Sequence, residues 1–180
     1  MDRRIQKTQK AIRNAFLNLL GKKSLGKITV AEISELAELG RGTFYLHYRD
    51  IYDLYEQVEN DLYHEIELLL DKTCAANDKA ALMGLVNAIT EYIVKNRQTF
   101  LLLIGAGSSS RNLYKLKKIF QKKMIQENPK LKKSEYDLIE CMFITSGIIG
   151  VLEEWLFNKQ KFSERKIAES LFKILQVFDL

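Results

Sequence analysis

Proline and cysteine are almost absent from this chain: its 180 residues contain one proline, Pro129, and two cysteines, Cys74 and Cys141. Sheet proteins draw on turn residues every few positions, so a single proline and the scarcity of alternating apolar and polar runs argue against a β fold. The two cysteines fall in helical patterns with neither metal-type nor redox-type spacing, so no metal site is expected and both read as buried or half-buried thiols in a reducing compartment. Long hydrophobic runs are missing as well. The longest, Cys141 to Leu152, is bounded by Glu140 and Glu153 and is far shorter than the roughly 20 residues that cross a bilayer. The N-terminus is charged and amphipathic, unlike a secretory signal. A soluble cytoplasmic protein without membrane contact is the expectation.

What is present is an asymmetry of charge. Residues 1–50 hold ten Lys/Arg against five Asp/Glu, whereas residues 51–180 hold 18 of each, so the net charge of +5 lies entirely in the first segment. A basic head on a neutral body points to a polyanion met by the head alone.

Helical periodicity runs through the whole chain. Ile5, Thr8, Ile12, Ala15, Phe16 and Leu19 recur at three- and four-residue steps and predict a helix over 3–20, with Arg3, Arg4, Lys7, Lys10 and Arg13 on its other face. Gly21 suits the position just past its end. Lys22 to Lys27 form a short basic loop. Thr29, followed three residues on by Glu32, is a capping box that opens a second helix running to about Ala37. After a tight turn, Arg41 to Tyr48 predict a third helix, and Asp50 is a good N-cap for a long fourth reaching about Lys72. Further helices are expected from Asp78 to about Lys95, from Gln98 to Ile104, around Leu113 to Met124, from Ser134 to about Phe157 and from Ser163 onward. Gly105–Ser110 reads as a flexible break. The fold class is therefore all-α with about nine helices: a three-helix helix-turn-helix unit over 1–49, then a helical bundle over 50–180.

The head has the spacing of a DNA-reading device. Ile33, Leu36, Leu39 and Phe44 are placed to hold two short helices against the first. The major groove admits one helix, whose N-terminal residues reach base edges. Arg41 then suits a bidentate contact to guanine, and Gly42 lets the backbone come close. Thr43, Tyr45, His47 and Tyr48 supply donors for phosphates, which fix register without reading sequence. Thr29, at a helix N-terminus, is a further phosphate candidate, and Lys22, Lys23 and Lys27 would flank the groove. Tyr45 and Tyr48 have a second reading, as ordinary core aromatics.

The run from Ile28 to Tyr55, with its Gly42-Thr43-Phe44-Tyr45-x-His47-Tyr48 core, resembles the DNA-binding segment of TetR-family transcriptional regulators. The resemblance covers about residues 5–55 strongly. The helical remainder, including Tyr92-Ile93-x-x-Asn96 and the stretch from Gly147 to Trp155, is similar to a regulatory domain common among such proteins in Gram-positive bacteria. The resemblance implies that Arg41, Gly42, Thr43, Tyr45 and His47 face DNA and that Thr29 grips a phosphate. Two positions depart from the family pattern. Glu38 stands where the family usually has glycine, so the turn is either differently shaped or strained. Ile51 stands where a lysine usually meets a phosphate, and Arg49 is the candidate to replace it.

Residues 138–152 are apolar on nearly every side, so this helix needs covering on both faces. Gly147 and Gly150 would admit a close backbone. With the final helix it would form a four-helix interface in a homodimer; the rival is the central helix of a monomeric bundle. A small-molecule effector would sit between helices of the body, with Phe100, Leu103, Phe120, Met124, Phe143 and Trp155 as wall candidates and His64 and Cys74 as polar ones.

Enzymatic chemistry finds little support. His64-Glu65 lacks the second histidine of a zinc-hydrolase helix, and Gly105–Ser110 lacks the Gly-Lys-Ser/Thr of a phosphate loop. No cofactor is expected. The reading is a TetR-like regulator, a repressor that binds a palindrome as a dimer and is released by a small effector. The alternatives are a co-regulator that binds a protein or small molecule without specific DNA binding, and a membrane-surface helix, which fits residues 3–20 alone.

Overall fold

The structure, a computed structural model, describes residues 3–73, 79–106, 109–127, 134–158 and 162–177. Among these, nine α-helices and no strand are present: α1 (Arg3–Leu20), α2 (Val30–Leu36), α3 (Arg41–Tyr45), α4 (Ile51–Thr73), α5 (Lys79–Lys95), α6 (Arg97–Ala106), α7 (Ser109–Glu127), α8 (Glu135–Phe157) and α9 (Glu164–Gln176). Leu25–Lys27 add one 3-10 turn inside the basic loop. Cys74 and the proposed cap Asp78 lie outside the described residues. The expected break after Gly105 is narrower than the sequence suggests, because α6 continues through Gly105 to Ala106 and α7 has begun by Ser109.

The chain forms two compact units. The first comprises Met1–Leu62 with Leu102–Ser109. Its core is the inner stripe of α1, Ile12, Ala15, Phe16 and Leu20, closed by Ile28, Ile33, Phe44, Tyr48 and Leu54. Fully burying a side chain such as Phe16 contributes about 1.5–3 kcal/mol, which is why a stripe of four on one helix suffices to seat two short partners. Both α1 and α3 pack on α2. Ile5 and Leu36, expected in this core, are exposed. α2 is only two turns long and turns Ile33 and Ser34 inward, so Leu36 falls on its outer side.

Local signals account for the helix ends. Thr29 Oγ1 accepts from the Glu32 N–H, and the Thr29 N–H donates to Glu32 Oε2 at 3.0 Å, completing the capping box. α2 ends in a Schellman motif: Leu39 N–H donates to Ser34 O at 2.9 Å and Glu38 N–H to Glu35 O at 3.1 Å. α4 starts as expected from Asp50, whose Oδ1 accepts from the Asp53 N–H at 2.8 Å.

The second unit comprises Tyr63–Leu101 with Ser110–Leu180. Here α5 and α8 pack on α9. Ser134 caps α8 in a capping box with Asp137, and the Ser163 side chain accepts from the Lys166 N–H to cap α9. α8 buries Cys141, Ile144, Ile149, Leu152 and Trp155, and its buried Thr145 hydroxyl donates to Cys141 O at 2.8 Å. Burial pushes the Cys141 thiol above its ordinary pKa.

Candidate nucleic-acid interface

In the first unit α3 is held by its apolar side. Phe44 is buried, and Tyr48, one turn on, is 1% exposed with its ring 5.6 Å from that of Phe44. Tyr48 also fastens the helix to α1, because Arg13 Nε donates to its hydroxyl at 3.3 Å. The same guanidinium pairs with Asp61 on α4. Burial alone would lower the Arg13 pKa, but the Tyr48 hydroxyl and the Asp61 carboxylate outweigh it and raise it. Of the two readings open for each tyrosine, Tyr48 is the core aromatic. Tyr45 is 59% exposed and meets Phe44 edge-on at 5.5 Å.

The opposite side of α3 is turned out. Arg41, Gly42, Tyr45, Leu46 and Arg49 are exposed, while Thr43 and His47 are half-buried at its margins. Steps of three and four residues connect Gly42, Tyr45 and Leu46 into a single face, and Arg49 is exposed in the bend that follows. A Cβ on Gly42 would meet nothing within 4 Å, so no contact inside the chain requires glycine there. Leu46 is the member that sequence reasoning passes over, since a leucine between Tyr45 and His47 reads as core. The only signal for it is its place four residues after Gly42.

The neighbouring elements hold the other candidates. Thr29 is exposed, but its hydroxyl donates to Glu32 Oε2 at 2.8 Å and its N–H to the same oxygen, so the start of α2 already carries a carboxylate of the chain. Lys23 pairs with that carboxylate, and the Lys23 and Thr29 hydrogen bonds lower the Glu32 pKa. Lys22 and Lys27 are exposed. Arg49 stands exposed just before α4, its Nη2 3.6 Å from Asp53 Oδ1, where Ile51 is half-buried. The Arg49 N–H donates to Asp53 Oδ2 at 2.8 Å, and this bond, aided by Gln57, lowers the Asp53 pKa. Glu38 has φ 56°, so the turn between α2 and α3 keeps the left-handed shape that glycine favours and accepts the strain.

Of the effector-wall candidates, Leu103 belongs to the first unit and the other five to the second. Phe100, Phe120 and Trp155 are buried, Met124 is half-buried, and Phe143 is 68% exposed. Trp155 Nε1 donates to Phe162 O at 3.0 Å, and Tyr92 lies edge-on to Phe100. His64 is exposed on α4, 3.6 Å from Glu67. Among the described residues no cluster of three His, Cys, Asp or Glu is placed to hold a metal, and no helix is long and apolar enough to cross a membrane.

Known proteins give these observations a frame. No curated protein sequence matches the chain. A TetR transcriptional regulator from Streptococcus agalactiae 2603V superposes with a TM-score of 0.63 at 25% identity, over 96% of each chain. A TetR/AcrR-type regulator from Aquifex aeolicus VF5 superposes with a TM-score of 0.69 at 16% identity, over 95% of this chain and 99% of that one. NalD of Pseudomonas aeruginosa, the secondary repressor of the MexAB-OprM multidrug efflux pump, reaches 0.69 at 15% identity over 96% and 95%. Residues 81–177, more than half of the sequence, match the family description "Transcriptional regulator C-terminal region". An all-helical chain with this basic helix-turn-helix head and this C-terminal region belongs to the TetR family of transcriptional regulators.

Proposed function

We propose that the protein is a homodimeric repressor of the cytoplasm, that residues 1–49 read a palindromic operator, and that residues 50–180 dimerise and sense a small effector. The observation that carries the reading is the outward face of α3, where Arg41, a glycine with open space above it and an exposed tyrosine stand, with exposed Arg49 just beyond, in a head that holds ten Lys/Arg against five Asp/Glu. Arg41 takes the base-reading role, with the bidentate geometry that guanine rewards. Thr43, Tyr45, His47 and Arg49 take phosphates, Arg49 standing in for a lysine at position 51. Tyr48, in the core, positions α3. Thr29 reaches a phosphate only by giving up hydrogen bonds to Glu32.

The dimer proposal rests on α8 and α9. Tyr136, Ile139, Met142, Phe143, Val151 and Phe157 are exposed along α8, and Ile174 and Val177 at the end of α9. A Cβ on Gly147 or Gly150 would meet nothing within 4 Å, leaving room for a second backbone. A surface this apolar is typical of an interface. Two-fold symmetry then sets two heads on half-sites about 34–36 Å apart, or a multiple of that spacing. An effector acts by binding one spacing of the heads better than another. Repression is the chosen sign because occupying an operator requires no further contact.

Selection of bound fragments from genomic DNA, repeated with candidate small molecules, tests the reading. One enriched palindrome, released by a ligand, is the expected result. Enrichment of no sequence would favour the co-regulator alternative.

A further inference from the structure

Leu46 is chemically out of place on the outward face of α3. At 81% it is the most exposed large apolar side chain among the described residues. Its backbone is not loose: φ −70° and ψ −20° keep it in helical register, and its N–H donates to Gly42 O at 3.2 Å. The side chain is thus held out beside Tyr45, one turn on from Gly42, with exposed Arg49 three residues further along the chain. Its occupant must tolerate the cations around it. A second copy of this head would bring Arg41 and Arg49 against their own like charges, which is unfavourable. A surface that is anionic overall and still offers an apolar group at the depth of a base edge fits better. In the major groove that group is the C5-methyl of thymine.

We propose that Leu46 is a specificity-determining residue that packs on a thymine methyl in each half-site. The proposal rests on the operator reading above and adds to it a base identity at one position. Sequence preference then has two sources on one short helix: hydrogen bonds from Arg41 and a methyl contact from Leu46.

Replacing thymine by uracil removes only the methyl, so a uracil scan of the selected duplex isolates the contact. Losing one buried methyl corresponds to about fourfold in affinity, and losing it in both half-sites to about fifteenfold. The wild type should show this loss at one symmetric pair of positions, and Leu46→Ala should bind thymine and uracil duplexes within about twofold of each other there. Its salt dependence should match the wild type, because no phosphate contact is removed. A flat uracil scan on a specifically bound duplex would overturn this inference and leave the operator reading intact. An unchanged uracil response in Leu46→Ala, or a changed particle mass by light scattering, would assign the leucine elsewhere. If no sequence is bound specifically, both readings fall together.

Discussion

Replacing Glu38 by glycine should make the protein more stable. Glu38 is the residue just past α2 in a Schellman motif and has φ 56°. A left-handed backbone costs an ordinary L-residue roughly 1–2 kcal/mol, because Cβ crowds the following carbonyl. Glycine removes that clash but has more freedom to lose on folding, which takes back about 0.4–1 kcal/mol. The net gain for Glu38→Gly is about 0.5–1 kcal/mol. For a chain of this size that raises the melting temperature by about 1–4 °C. The side chain is exposed, so no packing is lost. The charge is a separate effect, and Glu38→Gln separates it. Both variants remove a negative charge from the basic head and should bind duplex DNA more tightly at low salt, whereas only the glycine variant should melt later. Differential scanning calorimetry and a binding titration on the three proteins decide the matter. A glycine variant no more stable than the glutamine variant would refute the strain argument.

Three further outcomes follow from the same structure. Arg41→Ala should weaken binding of the selected operator by about 1–3 kcal/mol and loosen base preference in a competition assay, and unchanged preference would remove Arg41 from the base-reading role. Ile139→Glu, on the exposed side of α8, should shift the species seen by analytical ultracentrifugation to the 20.9 kDa protomer; a wild type that already runs at that mass contradicts the dimer. Glu32 and Asp53 have folded pKa values below their ordinary ones, so both bind protons less readily folded than unfolded. Their stabilisation is complete above the usual carboxylate range of about 4 and is lost as pH falls through the lowered values. Chemical denaturation from pH 7 down to pH 3 should show this acid loss, smaller in Glu32→Gln, and equal losses in the two proteins would disprove the assignment.

Much of the fold was legible because local signals set it. The stripe of α1 gave both its ends, the Thr29–Glu32 pair marked the start of α2, and Ser134 and Ser163 marked α8 and α9. What local signals do not set was less legible. α3 ends at Tyr45 rather than Tyr48, since five residues make too few hydrogen bonds to fix their own boundary and packing decides it. Tyr45 and Tyr48 have the same composition cue and opposite fates, settled by Phe44 and Arg13. The ion pair of Lys23 with Glu32 is set by the path of the loop, which no local signal shows. Glycine's absence at position 38 was readable as a conflict, and the φ of Glu38 is how the conflict resolved.

The most direct test of the account is which surface meets the duplex. Backbone amide shifts of the labelled protein, followed by NMR as the selected operator is added, should change most at residues 41–49. Changes centred on the lysine-bearing helix α7, at Lys117, Lys118 and Lys122, with residues 41–49 unmoved, would contradict it.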